Sequence, residues 1–270
     1  LVGGVVVLFA FFNNAMSATT QRYINVAITS GRKDQINKVF CSSLNIHFSI
    51  ALIVIVLAET VGLWFLNEQL NIPADRMHAA NIVYQISILT TALNIIRIPY
   101  EATVLAYEKM SYYAFLGIFE NIAKLLAVFS LYLFSNNDTL IIYALLLMVV
   151  SFCSNTIYYL YCNKNFKIQT TYHRYKDRKL FRELISFSGW MVFGQVAIVG
   201  ATQGLNIILN IFIGVVVNAA MGLTNQVNAA VYSFVSNFQI AFRSQLIQSY
   251  AEGDFERHKN MVLSTSKYSL

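Results

Sequence analysis

The sequence predicts an all-α protein, a polytopic bundle of transmembrane helices, and three observations carry that expectation. Hydrophobic residues make up 57% of the chain and charged residues only 12%, with a mean hydropathy of +0.55; soluble domains carry about 25% charged residues. Apolar segments long enough to cross a hydrocarbon core of roughly 30 Å recur along the whole length rather than at one end. The 270 residues include only two prolines, and the apolar pattern follows helical periods. The ten-residue alternating rhythm of a transmembrane barrel is missing.

The elements follow in order. Helices are expected near 1–29, 35–66, 76–107, 111–134, 139–163, 181–213 and 218–250, with an eighth starting near 256. The first begins in LVGGVVVLFAFF and stops at SGRKD (30–34); the second runs to NEQLNIPAD (67–75), the third to EKM (108–110) and the fourth to SNND (135–138). The fifth meets the basic stretch KNFKIQTTYHRYKDRKL (164–180), the sixth stops at GVVV (214–217) and the seventh at AEGDFER (251–257). Alternate connections carry Lys or Arg and the others none, so the positive-inside rule places 30–34, 108–110, 164–180 and 251–257 in the cytoplasm. The net charge of +6 is then a topology signal and an attraction to anionic headgroups, and no nucleic-acid partner is expected. Residue 1 is Leu, already deep in an apolar run, and MVLSTSKYSL stops inside a helical pattern. The expectation is a fragment with helices missing at both ends.

Cys41, Cys153 and Cys162 lie in or beside apolar runs without CxxC or Cys/His spacing, and are expected as buried free thiols. His47, His78, His173 and His258 are scattered, and no pair has ligand spacing, so no metal is expected. The external loops are short, leaving little room for an enzyme site on that face.

An internal echo organises the chain further. Residues 13–39 (NNAMSATTQRYINVAITSGRKDQINKV) and 236–261 (SNFQIAFRSQLIQSYAEGDFERHKNM) share an amide-bearing, small-residue stretch, an Arg about nine residues before a Gly, and a charged turn. Arg22 and Arg243 are therefore candidates for equivalent positions in two related bundles, with 164–180 as the linker between them.

Charges inside the apolar runs are the candidate site. An unpaired Arg or Lys near the bilayer centre costs from about 2.5 to more than 10 kcal/mol, so such a residue faces protein, water or ligand. Arg22, Arg97, Glu101, Glu120, Lys124 and Arg243 fall on the expected cytoplasmic halves of their helices; Glu59 lies near an external end, where snorkelling suffices. Arg97 with Glu101 and Glu120 with Lys124 are also i,i+4 pairs that could serve packing alone. The other reading is a water-filled cleft of cations that grips a phosphate through guanidinium forks. Pro99, inside IIRIPYEA, cannot donate to the Ile95 carbonyl and is expected to bend the helix between Arg97 and Glu101. Gln195, Thr202, Asn206 and Asn210, then Asn225, Asn228, Tyr232, Gln239 and Arg243, form polar stripes that read either as glue between helices or as the wall of a polar cavity.

The succession NNAMSATTQRYINVAITSGRKDQINKVF, IRIPYEATVLAYEKMSYYAFLGIFENIAKL, ISFSGWMVFGQ and AAMGLTNQVNAAVYSFVSNFQIAFRSQLIQSYAEGDFERH resembles bacterial polysaccharide flippases. These are the O-antigen and capsule flippases of the multidrug/oligosaccharidyl-lipid/polysaccharide exporter superfamily. The resemblance covers essentially the whole chain and implies a MATE-like transporter of two six-helix lobes. On that template 1–163 is the N-terminal lobe without its first helix, 164–180 a cytoplasmic basic linker, and 181–270 the start of the C-terminal lobe. The resemblance implies movement of undecaprenyl-pyrophosphate-linked oligosaccharide across a bacterial inner membrane by alternating access, without catalysis. It also implies membrane lipids, a glycan polymerase and other biosynthesis proteins as partners. Arg22, Arg97 and Arg243 would bind pyrophosphate, with Lys124, Asn206, Asn225 and Gln239 as further substrate contacts. Glu101 and Glu120 would hold a coupling proton or sodium ion, or orient the arginines; no other cofactor is expected. A multidrug exporter of the same fold is the competing reading. A membrane glycan polymerase or acyltransferase and a non-transporting scaffold follow it.

Overall fold

The computed structural model describes residues 10–69, 76–134, 138–175, 177–212, 221, 224–225, 227–228, 232, 239–240 and 242–269. Among them every regular element is helical. In chain order these are α1 (Ala10–Thr29), α2 (Lys33–Leu57), α3 (Met77–Ala106), α4 (Met110–Ser130), α5 (Thr139–Asn165), the single turn α6 (Lys167–Thr170), α7 (Arg178–Phe212), a helix over 242–251 (α8) and α9 (Phe255–Ser269). The segments Lys33–Glu68, Met77–Ala106, Met110–Ser130 and Thr139–Asn165 are each long and apolar enough to cross a membrane. The chain is an all-α membrane protein.

The exterior follows from the solvent it meets. On α4 only Leu116 and Ala127 are buried, while Phe115, Leu126 and Phe129 are 63%, 61% and 67% exposed. Such a face is stable against acyl chains, which are as apolar as leucine. Cys153 corrects one expectation: it is exposed, whereas Cys41 and Cys162 are buried. It lies beside exposed Phe152 on the outer side of α5, where a thiol behaves as a small hydrophobe.

Helix α3 is the centre of the bundle. It packs against α5, α2, α1 and α4 and buries small and branched residues along its length, from Ala79 to Ala106. It runs unbroken through Pro99, whose carbonyl accepts from the Thr103 hydroxyl at 2.7 Å. The expected second helix, 35–66, differs in form. It continues beyond α2 through two widened π-helical turns, Ala58–Gly62 and Phe65–Gln69. At the first of these turns Tyr84 of α3 donates from its hydroxyl to the Ala58 carbonyl at 2.9 Å. A Cβ added at Gly62 would overlap that hydroxyl. Near the same end Gln85 donates to Glu59 at 3.2 Å, and Arg76 pairs with Asp138 at 3.2 Å.

The opposite end gathers the basic connections. Gly31 and Gly253 both adopt the left-handed region, at φ 67° and 80°, each closing a helix with a backbone bond to the third residue before it. Each is followed by a new helix, α2 or α9. The echo noted in the sequence is thus also an echo in backbone shape. Glu108, at φ 56°, makes a third left-handed corner between α3 and α4. The stretch after α5 is strapped along α2. The Asn37 amide donates to the carbonyls of Ile168, Gln169 and Thr171 at 2.8–3.1 Å and its oxygen accepts from Tyr175 at 2.9 Å. Helix α7 then starts at Arg178, three residues earlier than expected, because the Asp177 carboxylate caps the Leu180 amide at 3.1 Å.

Candidate functional site

Two arginine environments lie toward the basic end. The first is closed. Arg97 on α3 reaches Glu120 on α4 with Nη1 at 3.0 Å and stands 3.6 Å from Glu101 through Nε. Lys124 donates to the other oxygen of Glu120 at 2.7 Å. Both expected i,i+4 pairs are present, joined across helices into one cluster of two cations and two carboxylates. Arg97 also lies 5.5 Å from the centre of the Tyr158 ring on α5, which adds a cation–π contact. The Arg97, Glu101 and Glu120 side chains are only 16–20% exposed, whereas Lys124 is 44% exposed. A buried charge left alone is prohibitive, so the neutral sum is what permits this cluster within an apolar span.

The second environment is open. Arg22 on α1 and Arg243 on α8 line one cleft of about 800 Å³, together with Phe187 and Met191 of α7 and His258 of α9. The Arg22 guanidinium stacks 4.4 Å above the Phe187 ring. Among the described residues neither arginine has a carboxylate within ion-pair distance, and no acidic residue lines the cleft. Arg97 does not line it. Tyr113 of α4 lies within electrostatic reach of Arg97, Glu101, Glu120 and Arg243.

Beside the cleft, α8 closes on α1 and the end of α3. Gln21 donates to the Ser244 hydroxyl at 2.8 Å, and that hydroxyl donates onward to the Leu105 carbonyl at 2.7 Å. Gln248 donates to Asn25 at 3.2 Å and to the Ala106 carbonyl at 3.1 Å, and Gln245 to Glu108 at 3.3 Å. The carbonyls of Leu105 and Ala106 belong to the last turn of α3, where helices lack internal partners. The contact is only half satisfied: the Gln21 oxygen and the Asn25 amide nitrogen are buried without a hydrogen-bond partner among the described residues.

The remaining expected residues fall elsewhere. Asn206 lies in α7, but its side chain, like those of Gln195, Thr202 and Asn210, is outside the described residues. Asn225 is half-buried and Gln239 exposed, and neither lines the arginine cleft. Pro99 is buried inside α3, between Arg97 and Glu101 in the chain. Sequence reading missed Phe187, His258 and the Gln21–Ser244 contact. The echo that paired Arg22 with Arg243 was the available signal for the last, because the contacting glutamine and serine are their immediate chain neighbours.

The sequence matches no protein-family model and no curated protein. Fold and site together define the class: a multi-pass helical membrane protein with, among the described residues, a neutralised charge cluster inside its spans and a pair of arginines in a cleft without a carboxylate partner.

Proposed function

We propose that the protein is a flippase carrying an undecaprenyl-pyrophosphate-linked oligosaccharide from the cytoplasmic to the periplasmic leaflet of a bacterial inner membrane. One observation carries this reading. Arg22 and Arg243, at corresponding places in the two halves of the sequence echo, line one cleft in which no carboxylate among the described residues neutralises them. Two guanidinium groups in a partly apolar cleft favour a ligand with several anionic oxygens, and diphosphate offers bidentate partners to both. Phe187 and Met191 add apolar wall for the lipid side of such a ligand.

Alternating access needs an interface that opens. The contact of α8 with α1 and α3 suits that role, since its hydrogen bonds hold while orphaned polar groups lower the cost of parting. In this scheme the basic end faces the cytoplasm, and substrate binding shifts the balance only so far as diphosphate prefers one state over the other. The Arg97–Glu120 cluster then holds α3 and α4 together as a unit, with Glu101 and Glu120 as the groups available to a coupling proton or sodium ion. An exporter of cationic drugs would use acidic residues in the binding cleft, and the described lining has none.

The test is reconstitution in vesicles with a fluorescent lipid-linked sugar. Arg22→Ala and Arg243→Ala should each abolish translocation while membrane insertion stays normal. Unchanged translocation in both variants ends the assignment, and efflux of a cationic dye instead would favour the drug exporter.

A further inference from the structure

A second cleft, of about 630 Å³, also meets Phe187 and is lined by Arg178, Lys179, Arg182, Glu183 and Trp190 of α7. Phe187 lines both clefts and carries the Arg22 guanidinium on its ring, so one aromatic side chain is common to them. Arg178, Arg182, Ser186 and Trp190 follow at four-residue steps along α7, which puts them on one stripe of the helix surface. From Arg182 to Trp190 the stripe advances about 12 Å, close to the distance from headgroup phosphates to the upper acyl chains. Trp190 is 74% exposed and packs edge-on with exposed Phe193, as aromatic residues do at the headgroup boundary. Among the described residues none of the three cations forms an ion pair. Glu183 offsets one charge and leaves a cationic excess.

We infer that this outer cleft is a lipid phosphate site: Arg178, Lys179 and Arg182 hold the phosphate headgroup of an anionic membrane lipid whose chain lies along Trp190 and Phe193. The site is separate from the Arg22–Arg243 cleft and adjoins it. Its phosphate chemistry is common to bulk anionic phospholipids and to a polyprenyl pyrophosphate. Only in the second case, which rests on the flippase reading, does it become the station where substrate waits before passing Phe187.

The test uses the full chain in lipid nanodiscs. The sequence has two tryptophans, so Trp64→Phe leaves Trp190 as the sole reporter. Lipids brominated on their chains quench a tryptophan they touch. Brominated phosphatidic acid should quench Trp190 at about tenfold lower mole fraction than brominated phosphatidylcholine, given about 1 kcal/mol per basic residue near the surface and tenfold per 1.4 kcal/mol. Arg182→Gln and Lys179→Gln should each reduce that preference, and Arg182→Lys should keep most of it. Equal quenching by the two lipids, or a preference that survives both glutamine variants in protein of normal elution, overturns the site. Displacement of the brominated lipid by equimolar undecaprenyl pyrophosphate but not by excess phosphatidylglycerol identifies a substrate station. Equal displacement by both identifies a general anionic-lipid site. Loss of translocation plays no part in this readout, so failure of the flippase assignment leaves the lipid result standing, and the reverse also holds.

Discussion

Arg97 and Arg243 lie within electrostatic reach of the same phenol, Tyr113, and they live under opposite rules. Arg97 is enclosed, with two carboxylates and an aromatic face as company. Arg243 opens on a cleft beside a second arginine and meets no carboxylate among the described residues. A charge inside an apolar span needs either a counter-charge from the protein or access to water and ligand. The first solution ties α3 to α4 through Arg97 and Glu120; the second leaves an open cleft, which the proposed function fills with a ligand. The contrast separates an arginine neutralised by the protein from one left open to solvent, although both belong to one residue type.

The sharpest way to break that contrast is stability. Arg97→Ala removes the only ion-pair partner of Glu101 among the described residues and should destabilise the protein by about 3–5 kcal/mol, read as loss of thermal resistance in detergent. Arg243→Ala removes no ion pair among the described residues and should cost no more than about 1 kcal/mol. Adding Glu101→Gln to Arg97→Ala should recover a good part of the loss, because the stranded carboxylate is gone. If both single variants melt alike, the two environments are not distinct in kind.

This contrast also marks what the sequence could reveal. Helices α2 to α5 were legible because twenty-residue apolar runs end in polar or charged turns, and the Arg97–Glu101 and Glu120–Lys124 pairs because i,i+4 spacing is local. The bond from Arg97 to Glu120 depends on how α3 meets α4, which no local spacing encodes. The same limit placed Arg97 with Arg22 and Arg243 in one group of candidates, whereas the structure groups only the latter two around a shared cleft. The π-helical turns after α2 were hidden for another reason: nothing local in Ala58–Gly62 sets it apart from ordinary helix, and the Tyr84 that contacts it lies more than twenty residues on.

The likeness of the two halves can be tested on the backbone. At Gly31 and Gly253 a Cβ would meet nothing within 4 Å, so the only demand for glycine is the positive φ. Gly31→Ala and Gly253→Ala should each cost about 1–2 kcal/mol, and by similar amounts. Gly117 supplies the control. It lies inside α4 with open space around it, and Gly117→Ala should stabilise by about 0.5–1 kcal/mol. A marked inequality between the two corner variants in urea or thermal unfolding would show that the corners are alike in shape but not in role.

The smallest expected effect concerns the contact between Gln21 and Ser244. The Asn37 tether and this contact are both built from amides, yet Asn37 has partners for its nitrogen and its oxygen, whereas the Gln21 oxygen has none among the described residues. A contact that holds one good hydrogen bond and strands one acceptor contributes little net stability, so Gln21→Ala should shift unfolding by no more than about 1 kcal/mol. A shift of that size in an opening equilibrium is still about fivefold in population. The place to see it is a cysteine put at Ala18, which lines the arginine cleft. Its labelling by a membrane-impermeant maleimide should rise about fivefold in the Gln21→Ala background. Asn37→Ala should lower stability more and change that labelling less, because the tether holds the strap to α2 and does not bridge α1 to α8. Labelling that follows overall stability instead would make the Gln21–Ser244 contact simple packing and remove it from the proposed alternating-access scheme.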